Sequence, residues 1–290
     1  MKGIVLAGGK GSRLYPLTLP VSKQLLPLYD KPMIYYPLAT LMQAGIREIL
    51  VITDAAQKDS FSNLLGNGSQ WGVEFEYIGQ PRPSGIAEAL ILGEEFLNGQ
   101  EFVLILGDNL FHGPSLGEKL RCQIGEARAT VFAHPVKDPE RYGVITMVEG
   151  RPTRIVEKPT YPESNLAVTG LYRYAYEAVD VAKNLRPSGR GELEITDVNN
   201  HFLEARQLAC HSLGPGYAWL DTGTPEAMLQ AGQFIHALQE RQGVMIACLE
   251  EIAYANGWID KSQLLEQADR LKASDYGQYL FSIAERGPDD

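Results

Sequence analysis

A short apolar run, Gly3-Ile4-Val5-Leu6-Ala7, passes without a spacer into Gly8-Gly9-Lys10-Gly11-Ser12-Arg13-Leu14. A strand that ends in a glycine-rich turn points to an open α/β sheet, where ligands lie beyond the carboxyl ends of the strands. Glycine lets the backbone approach phosphate oxygens and turn N–H groups toward them, and Arg13 with Lys23 adds charge that backbone dipoles lack. Taken alone, the turn fits a plain strand-to-helix connection equally well. With those two cations beside it, a nucleotide phosphate site is the leading idea.

The rest of the chain agrees with that architecture. Branched apolar runs recur at Ile49-Thr53, Phe102-Leu106 and Thr130-Ala133, and stretches of helical period separate the first three, which predicts a mostly parallel sheet flanked by helices. One helix is expected from Ser84 to Leu97, with Ser84 as its N-cap and Ile86, Leu90, Ile91 and Leu97 on one face. A hairpin is expected where Val144-Val148 and Arg154-Glu157 flank the turn-forming Glu149-Gly150-Arg151-Pro152. Thr224 should cap a helix opened by Pro225, with Met228, Ala231, Ile235 and Leu238 on one side, and the pattern stays helical to the end, including Ser262 to Leu271. This divides the chain into a catalytic unit, 1–225, and a helical C-terminal extension, 226–290. Disorder is expected, if anywhere, in the tail Gly287-Pro288-Asp289-Asp290.

Charge and composition exclude several classes. At 290 residues and 44% hydrophobic the chain can bury a sizeable core. No apolar run approaches the roughly 20 residues of a membrane span, and the opening breaks into glycine too early for a signal peptide, so a cytoplasmic protein with no membrane partner is expected. A net charge of −10 argues against nucleic acid as a partner, so any phosphate ligand must be held by local cations. Cys122, Cys210 and Cys248 have no metal-site spacing and read as free, buried thiols. The histidines His112, His134, His201, His211 and His236 suit structural or surface positions.

Two common nucleotide motifs fail. The dinucleotide fingerprint needs glycine where Leu14 stands, which counts against a nicotinamide oxidoreductase, and no G-x-x-x-x-G-K-[ST] occurs. What fits is G-G-x-G-[ST]-R-L-x-P-x-T from Gly8 to Thr18, followed by Lys23. With it stand Ser22 to Leu38, Gly107-Asp108-Asn109, Glu157-Lys158-Pro159, Arg190 to Asn199 and Trp219-Leu220-Asp221-Thr222-Gly223-Thr224. In these segments, which span nearly the whole chain, the sequence resembles the sugar nucleotidyltransferase family, and within it the thymidylyltransferases.

The resemblance implies a Rossmann-like sheet with an inserted β-rich sugar-binding part. It also implies a Mg2+-dependent reaction of dTTP with glucose 1-phosphate to give dTDP-glucose and pyrophosphate, with UTP or another sugar 1-phosphate as the alternative. A regulatory protein that has lost activity is a rival from another class, but Arg13, Lys23, Asp108 and Asp221 are all present. By the same resemblance, Asp108 and Asp221 hold the metal, Arg13 and Lys23 hold the triphosphate and leaving pyrophosphate, and Lys158 holds the sugar phosphate. Leu6, Gly8, Gly9, Gly11, Ser12, Arg13, Gln24, Gln80, Gly85 and Asp108 form the nucleotide side, Gln80 and Gly85 reading the thymine edge. Asn109, Tyr142, Gly143, Glu157, Val168 and Trp219 form the sugar side with Lys158. The family also implies a homotetramer and a regulatory site that includes Glu251 and Ile252. This chain departs from the usual pattern at Pro225, where a histidine is common, and at Ala255, where an arginine is usual.

Overall fold

Strands that are apolar on both faces need a helical layer on each side, and the chain supplies two. The computed structural model describes residues 1–82, 84–122 and 126–287. It opens with β1 (Lys2–Ala7) and a short ribbon of β2 (Pro27–Leu28) and β3 (Lys31–Pro32). There follow α1 (Tyr35–Gln43), β4 (Glu48–Asp54), α2 (Lys58–Leu65), β5 (Glu74–Gln80), α3 (Glu88–Leu92), α4 (Glu94–Leu97) and β6 (Phe102–Leu106). The middle holds β7 (Asn109–His112), α5 (Leu116–Arg121), β8 (Ala129–Pro135), β9 (Gly143–Val148), β10 (Arg151–Glu157), β11 (Leu166–Tyr174), α6 (Glu177–Lys183), α7 (Ile195–Glu204), β12 (Leu208–Ser212) and β13 (Ala218–Asp221). The chain finishes with α8 (Pro225–Gln242), α9 (Leu249–Ala255), α10 (Lys261–Arg270) and α11 (Asp275–Arg286).

A nine-stranded sheet runs β10-β9-β11-β6-β1-β4-β5, with β8 and then β12 branching from β11. Neighbours β6, β1, β4 and β5 are parallel, as are β8 and β12. β11 runs antiparallel to β6 and β8, and β9 and β10 form the expected hairpin. Side chains alternate between two cores: Val5, Ile49, Val51, Val103 and Ile105 face one, and Ile4, Leu50, Ile52, Phe102 and Leu104 face the other. The hairpin turn is tighter than expected. Only Glu149 and Gly150 lie outside the strands, with φ of 49° and 76°, and Arg151 and Pro152 belong to β10.

The helix expected from Ser84 to Leu97 is two short helices, and Ser84 caps neither. Residues 84–87 are engaged elsewhere: the Ser84 carbonyl accepts from the Leu193 N–H at 2.7 Å, and the Ala87 N–H donates to the Leu193 carbonyl at 3.1 Å. Thr224 does cap α8, its hydroxyl accepting from the Ala227 N–H at 3.2 Å. The last four helices have no core of their own, because Ala231, Ile235, Leu249, Leu264 and Leu280 join the same cluster as α1 and the sheet. Only Cys248 of the cysteines is buried; Cys122 is exposed because α5 ends just before it, and Cys210 is intermediate. No described helix is long and apolar enough to cross a membrane. Of the tail residues, Pro288 to Asp290 lie outside the described residues, and Gly287 follows α11.

Candidate active site

Parallel pairing places the loops after β1, β5 and β6 at one end of the sheet. Leu6 pairs with Leu106, and its carbonyl accepts from the Gly107 N–H at 2.9 Å, so the glycine-rich turn and Asp108 start side by side. Gly9 and Gly11 take positive φ, 101° and 57°, as the turn lifts away and closes into the short 3-10 turn Ser12–Leu14. Gln80 ends β5 and is buried, its amide donating to Glu88. A Cβ on Gly8 would stand 2.8 Å from the Gln80 Oε1, so glycine there keeps the amide in place. Gly85, with φ of 104°, lies against the backbone of Leu193. Gln24 is buried, accepting from the Ser22 hydroxyl at 2.5 Å.

A cavity of about 230 Å³ opens beside this end of the sheet. Its lining brings together Arg13, Asp108, Asn109, Tyr142, Gly143, Glu157, Lys158, Val168, Trp219 and Asp221, drawn from both halves of the expected site. The antiparallel ribbon of β7 and β13 pairs Asn109 with Asp221, and the Thr222 N–H and hydroxyl both donate to the Asp108 carbonyl, at 3.2 and 2.8 Å. The two carboxylates are therefore fixed relative to one another by backbone. On the other wall, Gly143 pairs with Glu157 in the hairpin, and a Cβ on Gly143 would come within 3.3 Å of the Glu157 Oε2. The Asn109 Oδ1 accepts from the Trp219 indole at 2.6 Å and the Gly170 N–H at 3.1 Å, and Trp219 meets Tyr142 edge-on at 5.1 Å.

The electrostatics of the two aspartates diverge. Burial opposes charge on Asp108, but the Lys23 ammonium paired with it and the Asn109 amide, 3.0 Å away, outweigh burial and hold its carboxyl below the usual range. Asp221 is pushed up, first by burial and then by the charge of Asp108, with Lys23, Arg13 and the Gly223 N–H opposing. Two carboxylates facing one cavity, one of them without an ion-pair partner among the described residues, fit Mg2+, which takes one or two carboxylates and leaves its other positions to phosphate oxygens and water. No group of three or more His, Cys, Asp and Glu that could hold a metal ion stands together among the described residues.

Thr196, Glu194 and Arg141 line the cavity without having been singled out from sequence, and Arg190 stands behind Glu194. The Thr196 hydroxyl donates to the Glu157 Oε2 at 2.7 Å, and Arg190 grips both oxygens of Glu194 at 2.9 Å while standing 3.7 Å from Glu157. Arg141 faces the cavity beside Tyr142. A larger hollow of about 420 Å³ beside Arg128 and Arg173 is a poorer candidate, since those cations already pair with Glu177 and Glu101.

The chain is similar over most of its length to known proteins. The family described as "Nucleotidyl transferase" matches residues 2–237. The glucose-1-phosphate thymidylyltransferase of Xanthomonas campestris pv. campestris is 54% identical over 288 residues, 99% of this chain and 98% of that protein. Its counterpart from Neisseria meningitidis serogroup A is 52% identical over 288 residues, 99% of this chain and 100% of that one. A Bacillus anthracis crystal structure described as a glucose-1-phosphate thymidylyltransferase, in complex with a sucrose, superposes with a TM-score of 0.76 and 40% identity, covering 81% of this chain and 94% of that one. A UDP-glucose pyrophosphorylase, 24% identical with a TM-score of 0.69, shares the fold.

Proposed function

Since the chain belongs to the nucleotidyl transferase family, in its glucose-1-phosphate thymidylyltransferase branch, we propose that it joins dTTP to glucose 1-phosphate and releases pyrophosphate. The observation that carries this reading is the single cavity in which Asp108 and Asp221 face Glu157 and Lys158. A sugar phosphate oxygen attacks the α-phosphorus of dTTP; that P–O bond forms as the one to pyrophosphate breaks, with no covalent enzyme intermediate. The nucleophile is already ionised and needs no general base. Catalysis then rests on positioning and charge neutralisation, and aligned reactants can supply about 7–11 kcal/mol of it.

Arg13 and Lys23 bear on the triphosphate and the departing pyrophosphate, where fixed cations offset developing charge. Lys158 holds the sugar phosphate, and Glu157, oriented by Thr196, accepts from sugar hydroxyls. Leu6, Gln80 and Gly85 serve the thymine side. Mg2+ held by Asp108 and Asp221 would offset the repulsion between the two anionic substrates. We assign catalysis to 1–225 and interface or regulatory duty to 226–290, in a cytoplasmic homotetramer that binds neither nucleic acid nor membrane; the acidic net charge and the family resemblance support this.

Pyrophosphate release from dTTP and glucose 1-phosphate tests the reading, with UTP in parallel. Release with dTTP, faster than with UTP, is expected; none with either nucleotide overturns the proposal, and a preference for UTP replaces it with the alternative. A second cavity, about 290 Å³, is lined by Glu251, Ile252 and Ala255, and we assign feedback binding of nucleotide sugars there. An arginine is a fork-shaped cation suited to a diphosphate, and Ala255 offers none. Ala255→Arg should therefore tighten inhibition by dTDP-sugars in initial-rate titrations, and unchanged inhibition would refute the assignment.

A further inference from the structure

Lys23 does not point at open solvent. Its ammonium is paired with the Asp108 Oδ2, and both side chains are only 15% exposed. The other oxygen, Oδ1, accepts from Asn109 at 3.0 Å, so each Asp108 oxygen has a partner. Asp221, across the ribbon, has no ion-pair partner among the described residues; its Oδ1 takes only the Gly223 N–H at 3.0 Å. Lys23 begins a short 3-10 turn beside Gly107, whose position is fixed against Leu6 and Ala7. The lysine thus reaches Asp108 from a turn packed against Gly107, which follows the strand next to β1, on a flexible stem.

An ammonium and a divalent cation compete for the same carboxylate oxygen. A polyphosphate at the glycine-rich turn offers Lys23 a more highly charged partner than Asp108 does, and it adds oxygens of its own for a metal. We infer that Lys23 is a placeholder: without nucleotide it closes Asp108 to divalent metal, and a nucleotide triphosphate opens that position by drawing the ammonium away. Metal entry is thereby tied to nucleotide entry. The idea rests on the metal and nucleotide roles proposed above, but its test does not require turnover.

Mn2+ is titrated into the purified full chain without nucleotide, and the free ion is read by electron paramagnetic resonance. Lys23→Met should bind Mn2+ on the order of tenfold more tightly than the parent. Adding Asp108→Asn to that variant should abolish the gain. Arg13→Met removes a charge that acts on Asp221 without an ion pair to Asp108, so it should gain much less. Lys23→Gln is run beside Lys23→Met, so that loss of fold in one does not remove the comparison. Lys23 variants that bind no more tightly than the parent, or an equal gain in Arg13→Met, would overturn the inference. If dTTP turnover is present in the parent and these results are negative, only the inference falls. If turnover is absent, the functional reading falls whatever the titration shows.

Discussion

Asp221 sits with its carboxyl largely out of water, taking one backbone N–H while Asp108 adds a like charge beside it. Its pKa is raised above the unfolded value, so its contribution favours folding below the unfolded pKa, roughly 3.9, and is lost as pH rises through the folded value. At neutral pH the ionised group therefore strains the ligand-free fold. Asp221→Asn should raise the melting temperature of the ligand-free protein at pH 7 to 8, with the gain shrinking as the solution is acidified, while turnover falls about a hundredfold or more. Calorimetry and pyrophosphate assays read the two effects, and a variant less stable at neutral pH would contradict the charge argument. Asp108 and Asp221, which meet at one cavity, were singled out from sequence because each sits in a segment that carries the family resemblance. Thr196 and Arg190 were not, although they lie in such a segment. Nothing in spacing shows a hydroxyl reaching Glu157 from 39 residues away, since that contact exists only once α7 docks on the hairpin.

Strands β1, β4 and β6 were legible to within a residue at each end because their apolar runs are bounded by polar or glycine residues. The expected helix from Ser84 failed for a tertiary reason: Ser84 and Ala87 spend backbone groups on Leu193, and Gly93 then divides what remains, its missing Cβ lying 2.7 Å from where Ile4 sits. Gly85 is the pivot of that crossing. An alanine Cβ there would stand 2.3 Å from the Leu193 carbonyl oxygen at a φ of 104°. Gly85→Ala should cost at least about 1–2 kcal/mol for the backbone alone, and it should raise KM for dTTP as residues 84–87 separate from Leu193. A urea midpoint unchanged from the parent would show that the crossing yields without penalty.

Across the whole molecule, the helical extension is tied to the sheet by a buried carboxylate. Glu250 accepts from the Trp71 indole at 2.9 Å and the Tyr276 hydroxyl at 2.5 Å, joining α9 and α11 to the turn before β5. Glu250→Ala leaves both donors without their acceptor, at about 1–3 kcal/mol each. Amide exchange in α9 to α11 should quicken, whereas Glu250→Gln, which keeps an acceptor, should restore much of the protection; equal exchange in Glu250→Ala and the parent would show that the extension is held by apolar packing alone. The order of the sheet has a further consequence, in time instead of space. β1 is apolar on both faces and paired along both edges, by β4 and β6. Translation delivers it before either neighbour, and its second edge stays open until Phe102–Leu106 has left the ribosome. At about 5–20 residues per second that wait lasts roughly 5–20 s. During this interval the strand that carries the glycine-rich turn is the segment most open to chaperones and to mispairing.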